Sequence, residues 1–213
     1  DGGRVNAPTD KYAPPSPADV ARLIKEFPLA WIVSAAPDFL ATPLPLRPRF
    51  DDEGRLLELH GHYSRGNPQV VALRSHPRAL VMFMGPQGYV SPSWMTDRTQ
   101  APTWNYASAQ FVVDVQFIAT DAELDPLMED MVDAMESHRE HAWHAGEMGP
   151  RYRKLTERVV GFRMLVRGGR VKFKLGQDER DDVYGDIVHG LDQEGSAELL
   201  EWNLRVLATV CSA

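Results

Sequence analysis

Gly85-Pro86-Gln87-Gly88-Tyr89-Val90-Ser91-Pro92-Ser93-Trp94-Met95-Thr96-Asp97-Arg98-Thr99-Gln100-Ala101-Pro102-Thr103-Trp104-Asn105-Tyr106 is the stretch around which the chain is read. Two of the five tryptophans, two tyrosines and three prolines fall in it, directly after the apolar run Ala79 to Met84. Pro86, Pro92 and Pro102 fix φ and lack a backbone N–H, so no regular helix spans the segment; extended or turn backbone is expected. A stiff backbone carrying aromatic faces builds a wall for a flat ligand. A surface loop whose aromatics tuck onto the core is the competing account.

Upstream, Ser16 or Asp19 caps an expected helix through Phe27, with Val20, Leu23, Ile24 and Phe27 on one face. Leu29 to Ala35 reads as a buried strand and Thr42 to Phe50 as its partner, held at a sheet edge or bulged by Pro43, Pro45 and Pro48. Asp51 to Gly54 is a turn signal. Arg55 to His62 alternates, and Ala79 to Met84 reads as a central strand. Downstream, Ala107 to Thr120 is an expected long strand, followed by a helix from Asp121 to about His144 with Leu124, Leu127, Met128, Met131, Val132 and Met135 as its stripe. Arg151 to Arg158 reads as a short helix, and Val159 to Val166 with Arg170 to Leu175 as a hairpin turning at Gly168-Gly169. Arg180 to Leu191 and Ala197 to Val210 read as helices. Six or seven strands with marginal helices give an α+β class built on a small barrel. The expected organisation is a flexible arm over 1–17, a barrel domain over 18–193 and a C-terminal helix over 194–213.

At 213 residues the chain suits one domain with an appendage. Its 43% apolar and 25% charged residues are ordinary for a globular protein. The net charge of −7 argues against nonspecific nucleic-acid binding, and no Lys/Arg cluster announces a local basic patch. No run is long enough for a membrane helix, and Cys211, the single cysteine, forms no internal disulfide; a reduced cytoplasmic setting is the expectation. Gly-x-Ser-x-Gly, Walker, Rossmann and zinc-type cysteine motifs are missing, which weakens hydrolase, NTPase and nicotinamide-dehydrogenase readings.

Several separated blocks resemble the PaiB-like branch of the FMN-binding split-barrel superfamily: Gly61-His62-Tyr63-Ser64-Arg65-Gly66-Asn67-Pro68-Gln69; Gly85-Pro86 with Tyr89-Val90-Ser91-Pro92-Ser93-Trp94; Pro102-Thr103-Trp104-Asn105-Tyr106; and Lys172-Phe173-Lys174-Leu175 with Gln177. Their order and spacing follow the family over residues 12–191. The resemblance implies a split β-barrel with peripheral helices, usually a homodimer with its cofactor at the subunit interface. Flavin-type relatives carry Tyr then Lys after Ser-Pro-Ser-Trp, where this chain has Met95, Thr96, Asp97 and Arg98. They often have His where Gln110 stands, and Lys-Phe-Lys-Leu-Ser-Gln-Asn here reads with Gly176 and Asp178. The combination most resembles the haem-dependent piperazate synthases, which close the N–N bond of piperazate from L-N5-hydroxyornithine.

That resemblance implies haem b as cofactor, with FMN as the alternative, and His62 as the axial metal ligand. A strand end supplies iron with a rigid imidazole, and His60, two residues away on the same face, is the local competitor. A hydrogen-bonded structural histidine is the plain alternative. Arg65 and Lys174, with Arg47 and Arg49, are the candidates for a propionate or phosphate group. Asn67 is a further cofactor-binding candidate, against a role with Pro68 in shaping the turn, while Trp94 and Trp104 flank a flat ring or pack the core. The general base is unassigned among Tyr63, Tyr106, Asp97 and His60, with the two tyrosines set down as catalytic candidates. His138, His141 and His144, placed at a helix end, are candidates for a shared metal, against an ordinary interaction with the helix C-terminus. The expected partners are an amino-acid substrate and a second copy of the chain, without membrane or nucleic acid. The alternative functions are an FMN-dependent oxidoreductase and a flavin-binding transcriptional regulator.

Overall fold

The computed structural model describes residues 11–210. Seven strands form one sheet in the order β2-β1-β5-β6-β7-β4-β3, and helices complete an α+β fold. The chain groups into two compact units, and three long strands change unit along their length: β5 (Arg78–Val90), β6 (Thr103–Phe117) and β7 (Val159–Lys174).

The first unit comprises Pro28–Met82 and Phe111–Gly168. Here β1 (Leu29–Ser34) pairs antiparallel with β2 (Leu40–Pro45) and with β5, while β4 (Leu56–Ser64) pairs with β3 (Arg47–Phe50) and β7. Period-2 alternation decides the core: Leu59 and Tyr63 on β4, and Phe162 and Met164 on β7, are fully enclosed. Gly61 stands opposite Phe162, and a Cβ there would lie 2.7 Å from its Cζ. Only glycine admits that close approach. Two helices of this unit frame the region of interest: α2 (Pro68–Ser75), packed on β1 and β2, and α3 (Asp121–Glu136), packed on β4.

The second unit holds residues 11–27, Phe83–Gln110 and 169–210. Its core gathers Leu23 and Ile24 of α1 (Pro17–Glu26), Phe173 of β7, Ile187 and Leu191 of α5 (Asp181–Gln193), and Trp202 of α6 (Ala197–Val210). Phe173 meets Trp202 edge-on with centroids 5.4 Å apart, and the indole N–H donates to Glu26 Oε2 at 3.0 Å. Of the two cap candidates Ser16 is the cap of α1, its side chain accepting from the Asp19 backbone N–H. Of the residues assigned to an N-terminal arm, 1–10 lie outside the described residues, as does Cys211; Tyr12 accepts a backbone bond from Phe173 N–H at 2.8 Å.

Four sequence expectations need correction. Thr42 to Phe50 is two strands: Pro45 ends β2, buried Leu46 turns inward with its N–H on Pro28 O, and β3 joins β4 instead. The strand expected over Ala79 to Met84 continues to Val90. Gly85 and Pro86 are buried in succession, so alternation resumes one position out of step, as at a bulge. The hairpin at Gly168-Gly169 is absent: β7 runs straight through, and neither glycine takes the positive φ of a two-residue type I′ turn. Finally, α3 stops at Glu136, where its apolar stripe ends after Met135. The His138–His144 run therefore lies beyond the helix, His144 capping a short 3-10 turn over Ala145–Met148. No group of three metal-ligating side chains occurs among the described residues.

Candidate functional site

His62 lies on β4 directly across from Gly161 of β7. Opposed residues of an antiparallel pair present side chains on one face. A Cβ at Gly161 would meet Leu124 of α3 at 2.8 Å and Ile118 at 3.1 Å. His62 is thus carried on the strand face that α3 covers. Its Nδ1 is sealed from solvent with no hydrogen-bond partner among the described residues, and burial lowers the imidazole's pKa from its usual value, favouring the neutral ring. His60, on the same face, is committed differently, its Nε2 lying 2.9 Å from Glu58 Oε2.

Tyr63 points to the opposite face. It is fully buried 5.0 Å from the Phe162 ring, burial raises its pKa, and its hydroxyl donates to Gln69 Oε1 at 3.2 Å. Gln69 in turn donates to Ile32 O, Ser34 Oγ and Leu40 O. Tyr63 is therefore the root of a buried polar network tying α2 to β1 and β2. Asn67 caps α2 by accepting from Gln69 N–H at 2.9 Å and reaches Thr42 Oγ1 with its amide.

Arg65 donates to the carbonyls of Glu157 at 2.9 Å and Val159 at 2.8 Å, binding the start of β7 to the end of β4. Its side chain also lines a cavity of about 310 Å³ with Arg74, Phe117, Asp121, Leu124 and Gly161. That volume is at the small end of ligand pockets. Sequence reasoning missed Arg74, Phe117 and Asp121, which carry no local motif. Arg47 and Arg49 are engaged elsewhere, with Asp130 and Glu58 respectively.

In the second unit the opening stretch folds onto α5. The Trp94 ring lies against Gly190 and its indole N–H donates to Glu194 Oε1; Thr96 N–H donates to Asp186. Asp97 accepts from Thr99, Gln100 and Arg180. The Thr99 hydroxyl leads these bonds in holding the carboxyl well below the usual range, which makes Asp97 a weak base. Lys174 donates to Thr103 Oγ1 and the Trp104 carbonyl. By contrast Trp104 is half exposed beside Tyr89, with ring centroids 6.0 Å apart. Tyr106 shares the strand face of Trp104, and Lys172 Nζ stands 5.9 Å from the Tyr106 ring. A flat surface therefore remains at Trp104, Tyr89 and Tyr106, whereas Trp94 and Lys174 are used in the fold.

The strand order and the placement of helices around it define a small α+β barrel protein, and known proteins share that arrangement. The family described as "Putative FMN-binding domain" matches residues 8–168, and the chain belongs to it. It is 31% identical over 176 residues to the Protease synthase and sporulation protein PAI 2 of Bacillus subtilis (strain 168), covering 78% of this chain and 82% of the relative. Among solved structures, the conserved hypothetical protein Rv2991 from Mycobacterium tuberculosis superposes with a TM-score of 0.54 at 14% identity, covering 83% of this chain and 93% of the other. The flavocytochrome Anf3 from Azotobacter vinelandii gives 0.53 at 16% identity, over 73% and 66% of the two chains. These likenesses establish the fold, the split barrel that the sequence resemblance implied. No helix of the described residues is long and apolar enough to cross a membrane.

Proposed function

We propose that this chain is a haem-dependent piperazate synthase that cyclises L-N5-hydroxyornithine. Membership of the family supports the coarser part of the reading, a protein that binds flavin or haem. The finer part rests on His62. The residues fit a haem iron in one respect: a neutral imidazole on a rigid strand, whose Nδ1 is sealed by burial and whose Nε2, with no hydrogen bond among the described residues, is the nitrogen that would ligate. His62 would hold the iron; bound iron would supply Lewis acidity toward the hydroxylamine oxygen.

The reaction is redox-neutral. The α-amine nitrogen bonds to N5, the N5–O bond breaks, and the departing hydroxide leaves as water with a proton lost from the amine. The chain's own contribution is to fold the flexible substrate so that its two nitrogens meet, which offsets the entropic cost of ring closure. A cationic side chain anchors the substrate carboxylate.

Assembly into a dimer belongs to this proposal. Leu29, Trp31 and Met82 leave an exposed apolar face on β1 and β5, Trp31 being opposite Met82. Such a face on a sheet suits burial against a second copy.

The deciding experiment is the absorption spectrum of protein purified from haem-supplied cells, followed by turnover of N5-hydroxyornithine. A stoichiometric Soret band, moved in His62→Ala, is the expected result. An unmoved Soret band in that variant overturns the ligand assignment. A flavin spectrum replaces the reading with an FMN-dependent oxidoreductase or a flavin-binding regulator.

A further inference from the structure

We infer that the cavity lined by Arg65, Arg74 and Asp121 receives the head group of an α-amino acid, Arg74 taking the carboxylate and Asp121 the ammonium. The inference deepens the proposed function and rests on it for the substrate's being an amino acid.

Arg74 is the group that asks for a ligand. It makes no ion pair or hydrogen bond among the described residues, and its guanidinium carbon stands 4.9 Å from the centroid of Phe117. A guanidinium placed over a ring face engages it through its charge and leaves its N–H donors for a planar acceptor, and paired N–H donors are how arginine recognises carboxylates. Arg65 shares the cavity, but two of its donors already serve the Glu157 and Val159 carbonyls. It contributes positive potential more than a free fork.

Asp121 supplies the opposite charge. Its nearest cation, Arg153, is 3.9 Å away and the Asp121 side chain is 80% exposed, an arrangement too loose to consume the carboxylate. Unlike charges on one cavity of about 310 Å³ match a zwitterion. A phosphate dianion would lie against the Asp121 carboxylate, and a diamine against the two arginines. The location also agrees with chemistry at His62, because Gly161, its cross-strand partner, lines the same cavity.

The test is calorimetric titration of the protein as purified, with four probes. L-ornithine carries both head-group charges, 5-aminopentanoate lacks the α-ammonium, putrescine lacks the carboxylate, and inorganic phosphate offers an anion alone. Saturable L-ornithine binding is expected. Arg74→Gln should weaken both carboxylate-bearing probes at least about tenfold, the loss of one charge-assisted pair. Asp121→Asn should weaken L-ornithine by a similar factor while leaving 5-aminopentanoate unchanged. Arg74→Lys, which keeps the charge without the fork, should fall between and guards against a folding defect in Arg74→Gln. Failure of L-ornithine to saturate, equal competition by inorganic phosphate, or indifference to both substitutions overturns the assignment. Haem content and KM for N5-hydroxyornithine, read on the same variants, separate the two readings. Active haem protein whose KM ignores Arg74 sinks this inference alone. Arg74-dependent ornithine binding by a flavin protein sinks the proposed function alone.

Discussion

The ring of Trp94 rests directly on Gly190, the tenth residue of α5: a methyl group on Gly190 would lie 2.5 Å from Cε3 and 2.6 Å from Cγ. The indole is fixed at its other edge by Glu194. The Ser-Pro-Ser-Trp segment and α5 therefore hold one another in place. Gly190→Ala is expected to destabilise by about 1–3 kcal/mol through overpacking, outweighing the better helix propensity of alanine. Gly185, in the same helix, has open space where its Cβ would be, so Gly185→Ala should stabilise by about 0.5–1 kcal/mol. Urea unfolding of both variants checks the opposed signs.

Tyr63→Phe separates architecture from chemistry. The substitution leaves the buried Gln69 Oε1 without its Tyr63 donor, a loss of about 1–2 kcal/mol. Turnover per folded molecule should stay near that of the parent. A collapse in kcat with unchanged stability would instead assign Tyr63 a catalytic role.

Acid should disarm the Asp97 anchor. Its pKa is depressed in the folded state by Thr99, then Gln100 and Arg180, so its contribution is present above the unfolded value of 3.8 and is lost as pH falls through the folded value. Asp97→Ala should therefore lower Tm at neutral pH, and the gap should close as the pH is taken progressively below 3.8. A gap that persists at the lowest pH tested would assign the effect to packing rather than charge.

Trp31→Arg places a charge in the exposed apolar face shared with Met82. With the dimer formed through this face, light scattering should report the parent as a dimer and the variant as a monomer, with little change in Tm of the monomer. A variant that remains dimeric removes this face from the interface.

What local sequence determined here is considerable, because helical and strand periodicities are properties of neighbouring residues. A capped helix starting at Ser16 or Asp19, the strand from Leu29, the helices over α5 and α6, and extended backbone through Pro86 were all legible. So was the family, carried by motif blocks that survive in order. Tertiary structure alone decided where those elements pair. A strand's partner depends on which edge is free, so β3 left β1 for β4, and β7 ran straight through two glycines that read as a turn. The same reason governs the site. His60 and His62 are equivalent by periodicity; in the fold His60 reaches Glu58, whereas His62 lies on the face that α3 covers, its Nδ1 unpartnered among the described residues. Arg65, Arg74 and Asp121 are brought to one cavity from a strand end, a helix end and a helix start, a convergence set by packing that no spacing in the chain encodes.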